Sequence, residues 1–245
     1  MAVIFVSRDD VYAASIRQKL IDSYTADSER ENKKRETERL IHVSDTIFPR
    51  KTYYQVVQGR KITDTAIGFW FTGKAYHAEL QRVLGAQYAE VAAQMDDFVA
   101  HMDYYDGLLI GEIKTSRKWT VPLHAPGHYI RQTGYYCAMS NKLNAKIIVI
   151  YPTSGRTWRG EKSSTVEIGA WDLTLTPDLL PIIQQDMRTV KSKIIEALDA
   201  QNPQLLPPVP PWILSEFENA DPGEYSEKEE NRFPFYYSDI EVQAT

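Results

Sequence analysis

Cysteine is almost absent: Cys137 is the single one in 245 residues. One thiol cannot form an intramolecular disulfide, nor supply a cysteine-ligated zinc or iron–sulfur site within one chain. Beside Tyr135 and Tyr136 it reads as a buried packing residue. Long apolar runs are also missing, and none approaches the length of a membrane span. The apolar start, Met1 to Val6, is too short for a signal peptide and is soon interrupted by Arg8, Asp9 and Asp10. A cytoplasmic chain with no membrane partner is the expectation. There is no excess of positive charge either. The net charge is −5, which alone argues against a nucleic-acid partner. The charge is uneven, however. From Glu216 to Thr245 nine acids face two bases, so the tail carries the acidity and the rest of the chain is close to neutral. A near-neutral body with local basic clusters can still track a phosphate backbone.

What is present reads as alternating helices and strands. Residues 10–40 are polar and helix-compatible, with a charged run from Glu29 to Glu36. The apolar stretch Leu40 to Val43 leads to Ser44 or Asp45 as a helix N-cap. A helix is predicted over Lys74–Leu84, where Ala75, Tyr76, Leu80, Val83 and Leu84 fall at helical spacing. Asp97–Tyr104 and Leu108–Lys114 are predicted strands, joined through Asp106-Gly107 as a hairpin. A helix over Tyr129–Met139 follows, then a strand over Ala145–Tyr151 ended by Pro152. A strand over Thr165–Leu175 and an amphipathic helix over Pro177–Ala200 complete the order. This order predicts an α/β fold, a mixed sheet flanked by helices. Pro203 to Pro211 is proline-rich and extended, and an acidic, aromatic-dotted tail follows it.

The predicted hairpin carries the chemistry. Asp103 ends its first strand, and Glu112 and Lys114 lie two apart on the second, so their side chains share one face. Charges at alternate positions of a strand bounded by Leu108, Leu109, Ile110 and Ile113 call for a function on that face. Two converging carboxylates make a hard-oxygen site suited to Mg²⁺ or Mn²⁺. A lysine beside them can hold an attacking water or offset transition-state charge. The competing reading is an edge strand with solvated charges in an unrelated α/β binding domain.

The segment from Asp103 to Lys114 resembles motifs II and III of the PD-(D/E)XK nucleases. Gly73-Lys74-Ala75-Tyr76-His77-Ala78-Glu79-Leu80 resembles the Gly-x-x-x-His-x-x-Leu helix that precedes them in the RecB-like branch. Gln132-Thr133-Gly134-Tyr135-Tyr136 resembles the Gln-x-x-x-Tyr helix that follows. The order of the four pieces is more specific than any one of them. The resemblance implies a restriction-endonuclease-like core in which His77, Asp103 and Glu112 hold metal and Lys114 assists the nucleophile. It gives Gln132 and Tyr136 an orienting role. Val43-Ser44-Asp45-Thr46-Ile47-Phe48-Pro49-Arg50-Lys51-Thr52-Tyr53 further resembles the N-terminal signature of the CRISPR-associated RecB-like nucleases, the fourth Cas protein family. Phe48 stands where that family has its first cluster cysteine, and the three C-terminal cysteines are missing, so no iron–sulfur cluster is expected. In its place Trp212, Phe217, Phe233, Phe235 and Tyr236 are expected to pack near Phe48 and Tyr53.

The resemblance implies exonuclease or end-trimming activity on single-stranded or unwound DNA, in spacer acquisition or in mobile-element DNA processing. CRISPR adaptation proteins and a second copy of the chain are the further partners considered. The rival reading is a non-catalytic subunit that binds DNA ends or an adaptation complex. Arg50, Lys51, Arg117, Lys118 and Trp119 are candidate DNA contacts, as are Arg60, Lys61 and Trp70. His101 shares the strand face of Asp103 as a supporting group, and Glu90 and Asp97 are further carboxylates considered near the site; His124 and His128 are expected in a Pro/Gly-bounded loop that could touch DNA. The expected organisation is a helical region over 1–72, a nuclease core over 73–202 and a C-terminal extension over 203–245.

Overall fold

The computed structural model describes residues 10–37, 41–58, 64–85, 88–96, 98–105, 108–116, 121, 125–156 and 162–206. The expected packing of the tail aromatics lies outside the described residues, as do Arg60, Lys61, Asp97, Arg117, Lys118, Trp119 and His124.

Helix α1 (Asp10–Thr37) leads to a two-residue strand, β1 (Ile41–His42). Two short helices follow, α2 (Val43–Ile47) and α3 (Pro49–Val57). Pro49 opens α3, where its missing N–H costs nothing. The cap of α2 is His42 rather than the expected Ser44 or Asp45. Asp45 sits inside the first turn instead, and its carboxylate accepts the His42 backbone N–H at 3.0 Å. Helix α4 (Asp64–Val83) starts ten residues ahead of the expected Lys74, because Trp70 to Gly73 continue its turns.

A strand absent from the sequence reading comes next, β2 (Tyr88–Met95). It pairs antiparallel with β3 (Phe98–Tyr105) along the whole of that strand. Then come β4 (Ile110–Thr115), α5 (Gly127–Ser140), β5 (Asn144–Arg156), β6 (Lys162–Thr174) and α6 (Leu179–Asp199). Helix α5 ends on Asn141, at φ 52, where the left-handed turn lets Lys142 N–H reach the Cys137 carbonyl at 2.9 Å.

Strand β5 does not stop at Pro152 but runs four residues further against β6. The Ile150 carbonyl accepts from Ser116 N–H at 2.8 Å, so the backbone two residues on, at Pro152, points the same way. There β4 has already ended, and the proline removes no ladder bond.

The sheet is six-stranded and mixed, in the order β1-β3-β4-β5-β6, with β2 also on β3. Strands β1 and β5 run parallel to β3 and β4 respectively, while β3–β4 and β5–β6 are antiparallel. Since β2 takes one whole edge of β3, β1 and β4 must share the other edge. Strand β1 pairs there at residues 98–99 and β4 at 104–105. Residues 100–103 of β3 therefore have no ladder partner on that edge, and the sheet is open between β1 and β4. Gly111 faces Tyr104 across the short ladder, and a Cβ there would meet the Tyr104 ring at 2.6 Å.

The core lies between the sheet and α5 and α6. It joins Phe98, Ala100 and Met102 of β3 to Ile147, Val149 and Tyr151 of β5 and to Ile130, Tyr135 and Tyr136 of α5. Cys137 is fully buried within it, as expected, and burial pushes its thiol up to about 12. The architecture is the expected one: a mixed α/β, restriction-endonuclease-like core of a central sheet flanked by helices.

Candidate active site

The open edge of the sheet is where the ionisable residues gather. With no strand beside it, Asp103 turns its carboxylate across the gap, and Oδ2 accepts the backbone N–H of Ile113 at 2.8 Å. The side chain thus satisfies a donor that the two-pair β3–β4 ladder leaves unpaired. Glu112 and Lys114 flank Ile113 on β4 and share the face of Ile110, which belongs to the core under α5. Glu112 is 0% exposed, and the Lys114 ammonium lies against its Oε1 as an ion pair. Lys114 Nζ is also 3.7 Å from Asp103 Oδ2. Helix α4 adds His77, whose Nδ1 is 3.6 Å from Asp103 Oδ1. Asp103, Glu112, Lys114 and His77 therefore come together from three elements.

Helix α5 closes the face from the other side. Tyr136 is buried and within electrostatic reach of Glu112, Lys114 and Asp103. Gln132, one turn earlier, donates from Nε2 to the Tyr136 hydroxyl at 2.7 Å. Gln132 meets the cluster through this tyrosine.

The electrostatics follow from burial. Burial pushes the Glu112 carboxyl up to about 8; the Asp103 charge adds to the shift and Lys114 opposes it. For Lys114, burial acts to lower the value, but Glu112 and Asp103 outweigh it and hold the ammonium above its ordinary range. Burial also raises the Tyr136 phenol, reinforced by Glu112. Once Glu112 ionises, two carboxylates face one ammonium and the pocket is short of positive charge.

That shortfall bears on a metal. Of the two buried Glu112 oxygens, Oε1 meets the Lys114 ammonium and Oε2 has no hydrogen-bond partner, which is costly for a carboxylate. Two carboxylates and an imidazole form a donor set that a hard divalent cation accepts. Among the described residues no three such side chains close on one common point. In this arrangement Glu112 faces Lys114, and His77 approaches Asp103 alone. The residues fit a hard cation by their chemistry, with the Lys114 ammonium lying between the two carboxylates in this arrangement.

Other predicted residues sit elsewhere. Arg50 and Lys51 lie in the first turn of α3, which packs chiefly on α6, and Lys51 Nζ stands 5.8 Å from the Phe48 ring centre. His101 turns toward His42, with ring centres 6.0 Å apart. His128 is not in a loop as expected. It lies in the first turn of α5, 5.7 Å from the Phe48 ring. Glu90 falls on β2.

One residue was missed. Gln81, one turn beyond His77 on α4, donates from Nε2 to the Asp103 carbonyl at 2.5 Å. It fastens the His77-bearing helix to the Asp103-bearing strand. The spacing of four from His77 was the only available signal, and without the strand in place it pointed nowhere. Gln81→Met keeps the volume and removes the donor. If Gln81 holds His77 over Asp103, the variant should bind Mn²⁺ roughly tenfold more weakly, as orienting groups behind metal ligands do. The melting temperature of the metal-free protein should hardly move. Calorimetric titration measures the first, and an unchanged affinity would remove Gln81 from the site.

Comparison with known proteins gives only distant likenesses. No family model matches the chain, and no curated protein matches it. Among solved structures, a protein named SSO0001 is 19% identical, with a TM-score of 0.46 over 71% of this chain and 86% of that one. A phage-related exonuclease from Haemophilus somnus 129PT is 10% identical, with a TM-score of 0.45 over 64% of this chain and 83% of its own. An alkaline exonuclease from Laribacter hongkongensis is 14% identical, with a TM-score of 0.40 over 66% and 88%.

Proposed function

We propose that the chain is a divalent-metal-dependent deoxyribonuclease that hydrolyses phosphodiester bonds at DNA ends, on a single or unwound strand. The observation that supports it best is the meeting of Asp103, Glu112, Lys114 and His77 at the open edge of the sheet, where the fully buried Glu112 has Lys114 on Oε1 and no hydrogen-bond partner on Oε2. Burying such a pair costs desolvation that the pairing alone repays only with excellent geometry and further hydrogen bonds.

In this reading His77, Asp103 and Glu112 hold Mg²⁺ or Mn²⁺. Such an ion, when bound, polarises the phosphoryl oxygen, acidifies a water and stabilises the leaving oxygen. Lys114, on the strand face of Glu112, holds the attacking water and offsets charge on the phosphoryl group. The Tyr136 hydroxyl, oriented by Gln132, fixes the direction of the attack.

The test is degradation of an end-labelled single strand with Mg²⁺, with Mn²⁺ and with chelator. Shortening of the strand with either metal, abolished by the chelator, is expected. Tight binding with no shortening under any metal would favour the non-catalytic end-binding reading instead.

A further inference from the structure

Helix α4 carries more than His77 on the face that meets the site. Trp70, Lys74, His77 and Gln81 follow one another at spacings of four, three and four, and so form one stripe along the helix. Its C-terminal end is fixed: Gln81 is bonded to the Asp103 carbonyl, and His77 stands over the Asp103 carboxylate. Its N-terminal part lies against α1. There Lys74 is exposed, and its ammonium lies 4.2 Å from the centre of the half-buried Trp70 ring. The Trp70 ring is braced edge-on by Tyr24 of α1, with centres 5.3 Å apart. On the rise of an α-helix, Lys74 lies about 4.5 Å and Trp70 about 10 Å along the axis from His77.

We propose that Lys74 and Trp70 form a subsite for the substrate strand, one phosphate and one unpaired base away from the reacting bond. The inference rests on the nuclease reading and specifies where its substrate runs. Lys74 supplies the positive charge that a phosphate needs just outside a pocket holding two carboxylates. Trp70 supplies a flat face for a base, and the brace from Tyr24 keeps that face from turning away. In the free protein the ammonium covers the ring. A strand would draw the ammonium onto its phosphate and leave the indole for stacking. A base can reach the ring only when unpaired, so the occupant is a single strand of DNA rather than a duplex.

The experiment uses the full chain with Glu112→Gln, so that binding is measured without cleavage. Anisotropy of a labelled oligothymidylate in Mg²⁺ gives the affinity. Adding Lys74→Ala should weaken binding about fivefold, and Lys74→Arg should restore most of it. Adding Trp70→Leu should weaken binding about tenfold, in the range of one lost stacking contact, whereas Trp70→Phe should lose much less. On a strand of abasic sites the Trp70→Leu effect should vanish and the Lys74→Ala effect remain. Unchanged affinity in both Lys74→Ala and Trp70→Leu overturns the subsite, as does an equal Trp70→Leu loss on abasic or duplex DNA. If wild-type protein degrades DNA while these variants bind normally, the subsite fails and the nuclease reading stands. If the wild type neither binds nor cleaves DNA, both fail.

Discussion

Lys114→Ala should lower the rate of DNA cleavage by on the order of 10³-fold, the scale of losing a group that stabilises charge in the transition state. Glu112→Gln should cost at least as much, because it removes a proposed ligand as well as the partner of Lys114. Both should leave the affinity for a single strand largely intact at fixed salt, since phosphate contacts outside the reacting centre supply most of it. Rates and affinities measured on one labelled oligonucleotide separate the two effects. The split matters because a merely structural Lys114–Glu112 pair predicts loss of folding, not loss of turnover alone. A variant that cleaves at the wild-type rate would exclude this chemistry.

The second large effect is on stability, and it lies behind the site. Arg131, 1% exposed, donates from Nε to the Tyr135 hydroxyl at 2.8 Å and from Nη1 to the Ile47 carbonyl at 3.3 Å. Its Nη2 stands 3.7 Å from Asp186 Oδ2, and the Tyr135 hydroxyl donates to the same carboxylate. This cluster ties α5 to α2 and α6 and fixes the helix that carries Gln132 and Tyr136. Arg131→Ala strands a buried carboxylate, which typically costs about 3–5 kcal/mol. For a chain of this size that lowers the melting temperature by roughly 10 °C. Asp186 adds a pH dependence. Burial raises its carboxyl above the ordinary value, against the pull of Arg131. A carboxyl raised on folding holds its proton more tightly in the native state. Its contribution is therefore fullest below the unfolded value and is lost as pH rises through the folded one. Asp186→Asn should flatten that part of the stability curve, which urea titrations over the acid range would reveal. Melting of Arg131→Ala within a degree of wild type would show that the cluster contributes little.

The sequence made some of this legible and not the rest, for physical reasons. Glu112 and Lys114 could be placed on one face because a strand alternates strictly, and β4 obeys that rule. Helices α5 and α6 were readable because their apolar residues recur at helical spacing and both are packed on the core. Strand β2 was not, since Tyr88-Ala89-Glu90-Val91-Ala92-Ala93 also suits a helix, and only pairing along β3 makes it a strand. The extension of β5 past Pro152 depended on where its neighbour β4 ends, which no local pattern encodes. The gap between β1 and β4 is a property of the whole sheet. It explains why Asp103 reaches across to Ile113, while Gln81 bonds the Asp103 carbonyl, and neither follows from motif spacing.

The proposed chemistry requires His77, Asp103 and Glu112 to hold one divalent ion. Anomalous diffraction from crystals soaked in Mn²⁺ tests it most directly. The expected result is a single strong peak at the open edge of the sheet, within bonding distance of a carboxylate oxygen of Asp103, a carboxylate oxygen of Glu112 and a ring nitrogen of His77, with Lys114 displaced from Glu112. A map with no peak there at saturating Mn²⁺, and Lys114 still seated on Glu112, would contradict it.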